Sequence, residues 1–286
     1  MKDKHPAWIR VRVAPSKLEK INSIIKQYQL NTVCNEALCP NRGICFMKKT
    51  ATFLILGKTC TRACAFCSIQ KGVPPKFDFN QEISNIIKAV KKLNLKHVVI
   101  TSVTRDDLND GGASHFVNII TLVKKKYPQV SIEVLIPDFQ GKIKSLLKVI
   151  NAQPHVINHN LETVPRLYNI IRPRANFQTS LKLLKLVKKN NHHIATKSGL
   201  MVGLGETINE LGQVFRKLKA VNCDIVTVGQ YLQPTPNQTV VKKYYSDKEF
   251  AIIKKMLREL NFRSFFVGPL VRSSFNAGYF FQKLNH

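Results

Sequence analysis

From residue 51 to residue 260 the sequence alternates short apolar runs with longer amphipathic ones, and this alternation limits the fold more than any other feature. Ala51–Leu56, His97–Thr101, Val130–Ile136, His155–Asn160, Ile194–Val202 and Asp224–Gly229 read as strands. A helical spacing follows each of them, in Gln81–Leu93, Ser114–Lys126, Gly141–Ile150, Gln178–Lys189, Glu210–Ala220 and Asp247–Leu260. Six such repeats imply parallel strands joined by right-handed crossovers. They are too few for a closed eight-stranded barrel, which leaves a doubly wound sheet or a partial (βα)6 barrel of the TIM type. A short helix, Ser16–Gln29, precedes the repeats, and a short apolar piece, Arg263–Val267, follows them. The chain therefore divides into an N-terminal extension (1–50), an α/β core (51–262) and a C-terminal tail (263–286).

Six of the seven cysteines fall between residues 34 and 67, in two triads. Cys34, Cys39 and Cys45 are spaced C-x4-C-x5-C, among turn residues such as Pro40 and Gly43. Cys60, Cys64 and Cys67 are spaced C-x3-C-x2-C and follow the first predicted strand, at the end of a parallel sheet where active groups gather. Each triad is one ligand short of a closed tetrahedral or cubane site. Three thiolates on one short loop can hold three irons of a 4Fe–4S cube and leave the fourth open to an outside ligand. Zinc completed by a distant histidine is the simpler alternative. However, His192 and His193 are adjacent and do not share a face, and the paired C-x2-C elements of zinc knuckles are missing. Cys223 reads as a small buried thiol.

The first ten residues carry no apolar signal-peptide core, and no apolar run approaches the ~18 residues of a membrane span. A cytoplasmic protein is expected, with clustered cysteines as metal ligands rather than disulfides. The formal net charge of +28 invites a nucleic-acid partner. Yet the 33 lysines are scattered over most predicted helices, and only 12 arginines, the better readers of phosphate, are present. No nucleic-acid partner is expected; the charge reads as a solvated surface with some affinity for acidic proteins.

The C-x3-C-x2-C loop, with Phe66 before its last cysteine, resembles the radical S-adenosylmethionine superfamily. More specifically, the chain resembles the lipoyl synthase family. The match rests on both cysteine spacings and on R-S-S-F at Arg272–Phe275. It extends to P-x-W-I-R (Pro6–Arg10), Thr101–Ala113, Glu133–Phe139, Asn158–Val164, Thr196–Thr207 and Val228–Thr235. The resemblance implies a partial (βα)6 barrel and two 4Fe–4S clusters. It implies insertion of two sulfurs, at C6 and C8, into an octanoyl chain carried on a lysine of a lipoyl carrier domain. Cys60, Cys64 and Cys67 then hold the cluster that binds S-adenosylmethionine. Cys34, Cys39 and Cys45 hold an auxiliary cluster that is the sulfur source, with Ser274 favoured over Ser273 on its fourth iron. The carriers are those of 2-oxoacid dehydrogenases and the glycine cleavage system, and an electron donor is required. C6 and C8 bear unactivated C–H bonds, which no side-chain base can deprotonate.

Asn158, Asn160 and Glu162 share a parity on the fourth strand and its continuation, so they either face the lumen and S-adenosylmethionine or end in water. Lys197 either meets an anion in the lumen, such as the methionine carboxylate, or snorkels. Arg172 and Arg174, flanking Pro173 in a loop after the fourth strand, either order the site or, as the preferred reading, belong to a solvated loop. Asp106, Asp107 and Asp110 before Gly111-Gly112 lack EF-hand spacing and read as a tight turn. Gly203–Glu206 lacks the third glycine of a dinucleotide fingerprint. Two positions depart from the family pattern: Phe275 where tyrosine is usual, and Gln238-Thr239-Val240 where a histidine followed by proline is usual. A methylthiotransferase is disfavoured because no room remains after the barrel for an RNA-binding domain. A basic zinc-and-nucleic-acid module would show zinc and a steep salt dependence.

Overall fold

The computed structural model describes residues 15–36, 39, 41, 45 and 50–284. The Pro6–Arg10 motif, Pro40 and Gly43 lie outside the described residues. Helix α1 (Pro15–Gln27) leads to β1 (Thr50–Ile55), a two-stranded ribbon of β2 (Thr59–Cys60) and β3 (Gln70–Lys71), and α2 (Phe79–Lys92). Then come β4 (His97–Ser102), α3 (Ala113–Lys126), β5 (Ser131–Leu135), α4 (Ile143–Asn151) and β6 (Val156–Asn158). Helix α5 (Phe177–Asn190), β7 (Ala195–Val202), α6 (Ile208–Ala220), β8 (Ile225–Gln230), α7 (Asp247–Glu259), β9 (Ser264–Gly268) and α8 (Ala277–Leu284) complete the order.

The main sheet runs β1-β4-β5-β6-β7-β8-β9, with every pairing parallel. Its spatial order is its chain order, without the reversal of a doubly wound sheet. Among the described residues β9 does not pair with β1, so the barrel is partial. The short apolar piece predicted at Arg263–Val267 is a seventh strand, held to β8 from Ser264 to Gly268. Each helix that the spacing predicts is present, and α8 is an addition. Asp78, Asn176, Thr207 and Ser246 cap four of them through side-chain acceptors.

Register explains the two faces. In-register neighbours of a parallel sheet project to the same side. One set holds Phe53, Ile55, Val98, Ile100, Ile132, Val134, Ile157, Leu200, Val226 and Val228, all in the core shared with the helices. The other set, facing the lumen, includes Thr52, Thr101, Glu133, Asn158, Lys197, Gly199 and Thr227. The lumen side thus mixes these polar groups with Leu54, Val99, Leu135, Val156 and Ile225, whereas the outer side is packed by apolar residues.

The tail after β9 turns back on the sheet. A side chain at Gly229 would strike the Val271 carbonyl, because its Cβ would lie 1.9 Å from that oxygen. Phe275 stacks on the lumen-side Phe266 with ring centroids 5.7 Å apart. Helix α8 reaches the start of the strands, where Phe281 meets His155 edge-on at 5.2 Å and Gly278 lies against His97. The tail thus spans the barrel from the ends of the strands to their beginnings.

Candidate functional site

The loop from Cys60 to Cys67 leaves β2 at the C-terminal end of the barrel. Backbone bonds from Thr61 to Thr104 (3.0 Å), Ala65 to Ile171 (2.9 Å) and Gly72 to Cys60 (3.0 Å) hold it from three sides. Its main anchor is Arg62, buried at 7% exposure. Arg62 gives two bonds to Asp138, at 2.6 and 2.7 Å, and two to Asp106, at 2.7 and 3.0 Å. Against the cost of burial, these carboxylates hold the guanidinium above its ordinary value. Sequence reasoning missed this clamp. All three residues lie inside the motifs singled out, but pairings across 44 and 76 positions leave no periodic trace.

Cys60 lies near enough to Cys64 and Cys67, and Cys64 to Cys67, to add to the rise of the latter two thiols. Burial pushes Cys64 up and Cys67 up to about 12. Left to the protein alone Cys64 and Cys67 are neutral thiols; a bound iron would supply the positive charge that makes them thiolates. The three do not close on the coordination sphere of one ion, and a cubane asks for less, because each thiolate takes a different iron. The donor set therefore fits a 4Fe–4S cluster.

Glu162 stands beside this loop with a left-handed backbone (φ +67). Burial pushes its carboxyl up, opposed by Arg172 and by the Asn160 hydrogen bond. Asn160 donates to Glu162 Oε1 at 3.0 Å and to the Ser273 hydroxyl at 3.2 Å. Asn158 donates to Glu133 at 3.3 Å. A carboxylate only accepts, so these bonds fix both carboxamides with the oxygen outward. The buried Oδ1 of Asn158 and that of Asn160 have no partner. Two orphaned acceptors in a polar lumen fit a ligand rich in N–H donors. Gly199 makes room for one of them: a Cβ there would lie 2.8 Å from Asn160 Oδ1.

Lys197 is fully buried, and the anion it meets is Glu133, at 3.0 and 3.3 Å. It does not snorkel. Against burial, Lys197 and then His97 hold Glu133 below the usual carboxylate range. The solvated-loop reading holds for Arg174, which is exposed, and is corrected for Arg172, which is half-buried. Arg172 donates to the carbonyls of Asn160 (3.0 Å) and Leu161 (3.3 Å), and Arg174 to Thr61 O at 3.1 Å. Folding over the strand ends gives both guanidiniums backbone acceptors beside the cysteine loop.

All seven cysteines are thiols rather than disulfides. In the first triad Cys34 and Cys45 are buried and Cys39 half-buried. The tail meets this triad. Asn41 donates to Leu270 O. Burial pushes the Arg272 guanidinium down, opposed by the adjacent Cys39. Among the described residues, nothing hydrogen-bonds Ser274, whereas Ser273 is held by Asn160. The departures from pattern also acquire contacts. Gln238 Nε2 donates to Cys67 O at 3.5 Å, and Thr239 N–H to Ala65 O at 2.9 Å.

Three other readings are settled. Asp110 accepts from Gly112, Ser114 and Lys148 and starts α3 as a tight turn. Glu206 accepts the N–H groups of Gly203 and Leu204, the donors a dinucleotide would need. Cys223 is buried, with its thiol pushed up to about 12 by burial.

Residues 54–218 match the Radical SAM superfamily. The chain is 50% identical over 278 residues to a lipoyl synthase of Caldicellulosiruptor saccharolyticus, covering 97% of each. It is 49% identical over 279 residues to a lipoyl synthase of Alkaliphilus metalliredigens, covering 97% of this chain and 96% of the other. Among solved structures, methylornithine synthase aligns with a TM-score of 0.57 at 16% identity, over 88% of this chain and 71% of that one. Streptococcus suis SuiB bound to S-adenosylmethionine aligns with a TM-score of 0.61 at 11% identity, over 83% and 56%. These last two likenesses concern the fold alone.

Proposed function

Because the chain belongs to the lipoyl synthase family of radical S-adenosylmethionine enzymes, we propose that its two cysteine triads hold two separate 4Fe–4S clusters. The activity is insertion of two sulfurs into a protein-bound octanoyl-lysine, and it uses S-adenosylmethionine and a 4Fe–4S cluster. When bound at Cys60, Cys64 and Cys67, that cluster supplies the electron that splits S-adenosylmethionine into methionine and a 5′-deoxyadenosyl radical.

The chain's own residues prepare the site. Arg62 fixes the loop on Asp106 and Asp138, so the thiols keep their places through turnover. Asn158 and Asn160 offer acceptors to the N–H groups of S-adenosylmethionine, and Glu162 stands ready for its ammonium. Lys197 sets the charge of the lumen through Glu133. Cys34, Cys39, Cys45 and Ser274 would hold the second cluster, the source of the inserted sulfur. A serine oxygen is a hard ligand among soft sulfurs, so it suits an iron that must be lost early.

The observation that carries this reading is the meeting of tail and first triad, through Asn41 with Leu270 and Cys39 with Arg272. It supports a fourth ligand from Ser273 or Ser274, which follow Arg272 in the chain, for a triad more than 200 positions away. The domain division follows: an N-terminal extension with three ligands, the barrel, and a tail with the fourth. Lipoyl carrier domains are the substrates; we assign those of 2-oxoacid dehydrogenases and the glycine cleavage system, with a separate electron donor. Six reduced ligand thiols call for a reducing compartment, the cytoplasm. Among the described residues no helix is long and apolar enough to cross a membrane.

Anaerobic reconstitution should yield about eight irons with matching sulfide per chain. Incubation with an octanoyl-lysyl peptide, S-adenosylmethionine and a reductant should add two sulfurs by mass. A protein that saturates at about four irons, one cubane, contradicts the two-cluster reading.

A further inference from the structure

The three most exposed large aliphatic side chains among the described residues are Val73 (93%), Ile170 (68%) and Val240 (53%). They are far apart in sequence, yet each lies one residue from a backbone bond to the cysteine loop. Gly72 N–H donates to Cys60 O, Ile171 O accepts from Ala65 N–H, and Thr239 N–H donates to Ala65 O. Three segments that grip the loop thus each turn an apolar side chain to solvent around the barrel mouth. Those segments (68–77, 163–177 and 225–246) contain no aspartate or glutamate. Lys71, Arg174 and Lys242 stand on them, exposed and with no carboxylate partner among the described residues.

We propose that Val73, Ile170 and Val240, with Lys71, Arg174 and Lys242 around them, form the surface on which an acidic carrier domain docks. The inference rests on the function proposed above and adds where on this chain the carrier sits. Exposed apolar side chains interleaved with cations are the material of a protein–protein contact. The chain's charge of +28 complements an acidic domain and draws it to the mouth. A polyanion such as RNA needs the cations but gives three exposed aliphatic groups nothing to bury against. The position suits the chemistry, because a carrier seated here has only to lower its lysine arm past Cys64 into the lumen.

The test compares an octanoylated carrier domain with a short octanoyl-lysyl peptide on the cluster-loaded protein. Val73→Glu, Ile170→Glu and Val240→Glu should each raise the KM for the domain on the order of tenfold, and weaken its binding in fluorescence anisotropy equally. The peptide's KM and kcat should stay unchanged, which also shows that each variant is folded. Serine at the same positions should give smaller shifts in the same direction. Equal shifts for domain and peptide, or no shift for either, overturn the proposal. So does displacement of the domain by an RNA oligonucleotide that binds the glutamate variants as well as the wild type. Should the wild type make no lipoyl product even from the peptide, the proposed function fails, while anisotropy with the domain still tests the surface.

Discussion

Asn160 and Ser273, 113 positions apart, share a hydrogen bond of 3.2 Å inside the barrel. The same carboxamide holds Glu162, which lies beside Cys64. One side chain therefore touches the surroundings of both triads, and it occupies the hydroxyl of one of two adjacent serines.

That occupation separates the serines. Ser274→Ala should lower reconstituted iron from about eight to about four per chain, whereas Ser273→Ala should keep about eight. Iron and sulfide analysis decides it; loss of iron in Ser273→Ala alone reverses the assignment. Asn160→Ala should weaken S-adenosylmethionine binding and broaden the paramagnetic resonance of the proposed second cluster, since the tail loses its tether.

Arg62 serves two carboxylates at once, one of them 4% exposed. Removing it leaves Asp138 buried and unpaired. Arg62→Met should cost about 3–5 kcal/mol in denaturant unfolding. Arg62→Lys should recover only part of this, because an ammonium cannot bond both carboxylates in bidentate fashion. A full recovery with lysine would show that charge alone matters.

The Lys197–Glu133 pair lies at 0% and 1% side-chain exposure. Lys197→Met should destabilise by about 3–5 kcal/mol, while Lys197→Met with Glu133→Leu should regain most of that loss. A double variant as unstable as the single one would mean that packing, not the unpaired charge, carries the cost.

His159 is a pH-sensitive group of the interior. Nδ1 donates to Ile136 O, which leaves Nε2 to accept from Ser180 Oγ, each at 2.9 Å. Burial, then Arg172, pushes its pKa from 6.5 down to about 4. Above pH 6.5 both folded and unfolded chains hold it neutral. As pH falls toward 4 only the unfolded chain takes up the proton, so stability is lost across that window, on the order of 3 kcal/mol. Heteronuclear NMR of the ring should show a midpoint near 4; a midpoint near 6.5 would refute the assignment.

Much of the barrel was legible in the residues. The six repeats appear where their periods place them, because apolar spacing is a local property that each strand or helix carries alone. The seventh strand, Ser264–Gly268, was harder to see, since three of its five residues are only half-buried and no regular alternation marks it. Helix α8 went unread at the end of the tail. The solvated reading of Arg172 failed because a loop's exposure depends on what it folds against, and here that is the carbonyls of Asn160 and Leu161 at the strand end.

By itself, the sequence determined the parallel strand–helix repeats, the two incomplete thiol sets and the family. Each is written in short-range periods and spacings, or in motifs whose residues are contiguous. Only the tertiary structure decided that Lys197 answers to Glu133, that Arg62 locks the loop on two aspartates, and that the tail crosses the lumen to meet Asn160 and Cys39. These are pairings between charges and hydrogen-bonding groups on different strands. They exist only once the sheet has curled, because curling brings residues more than 40 positions apart into one dry interior where an unpaired polar group is costly.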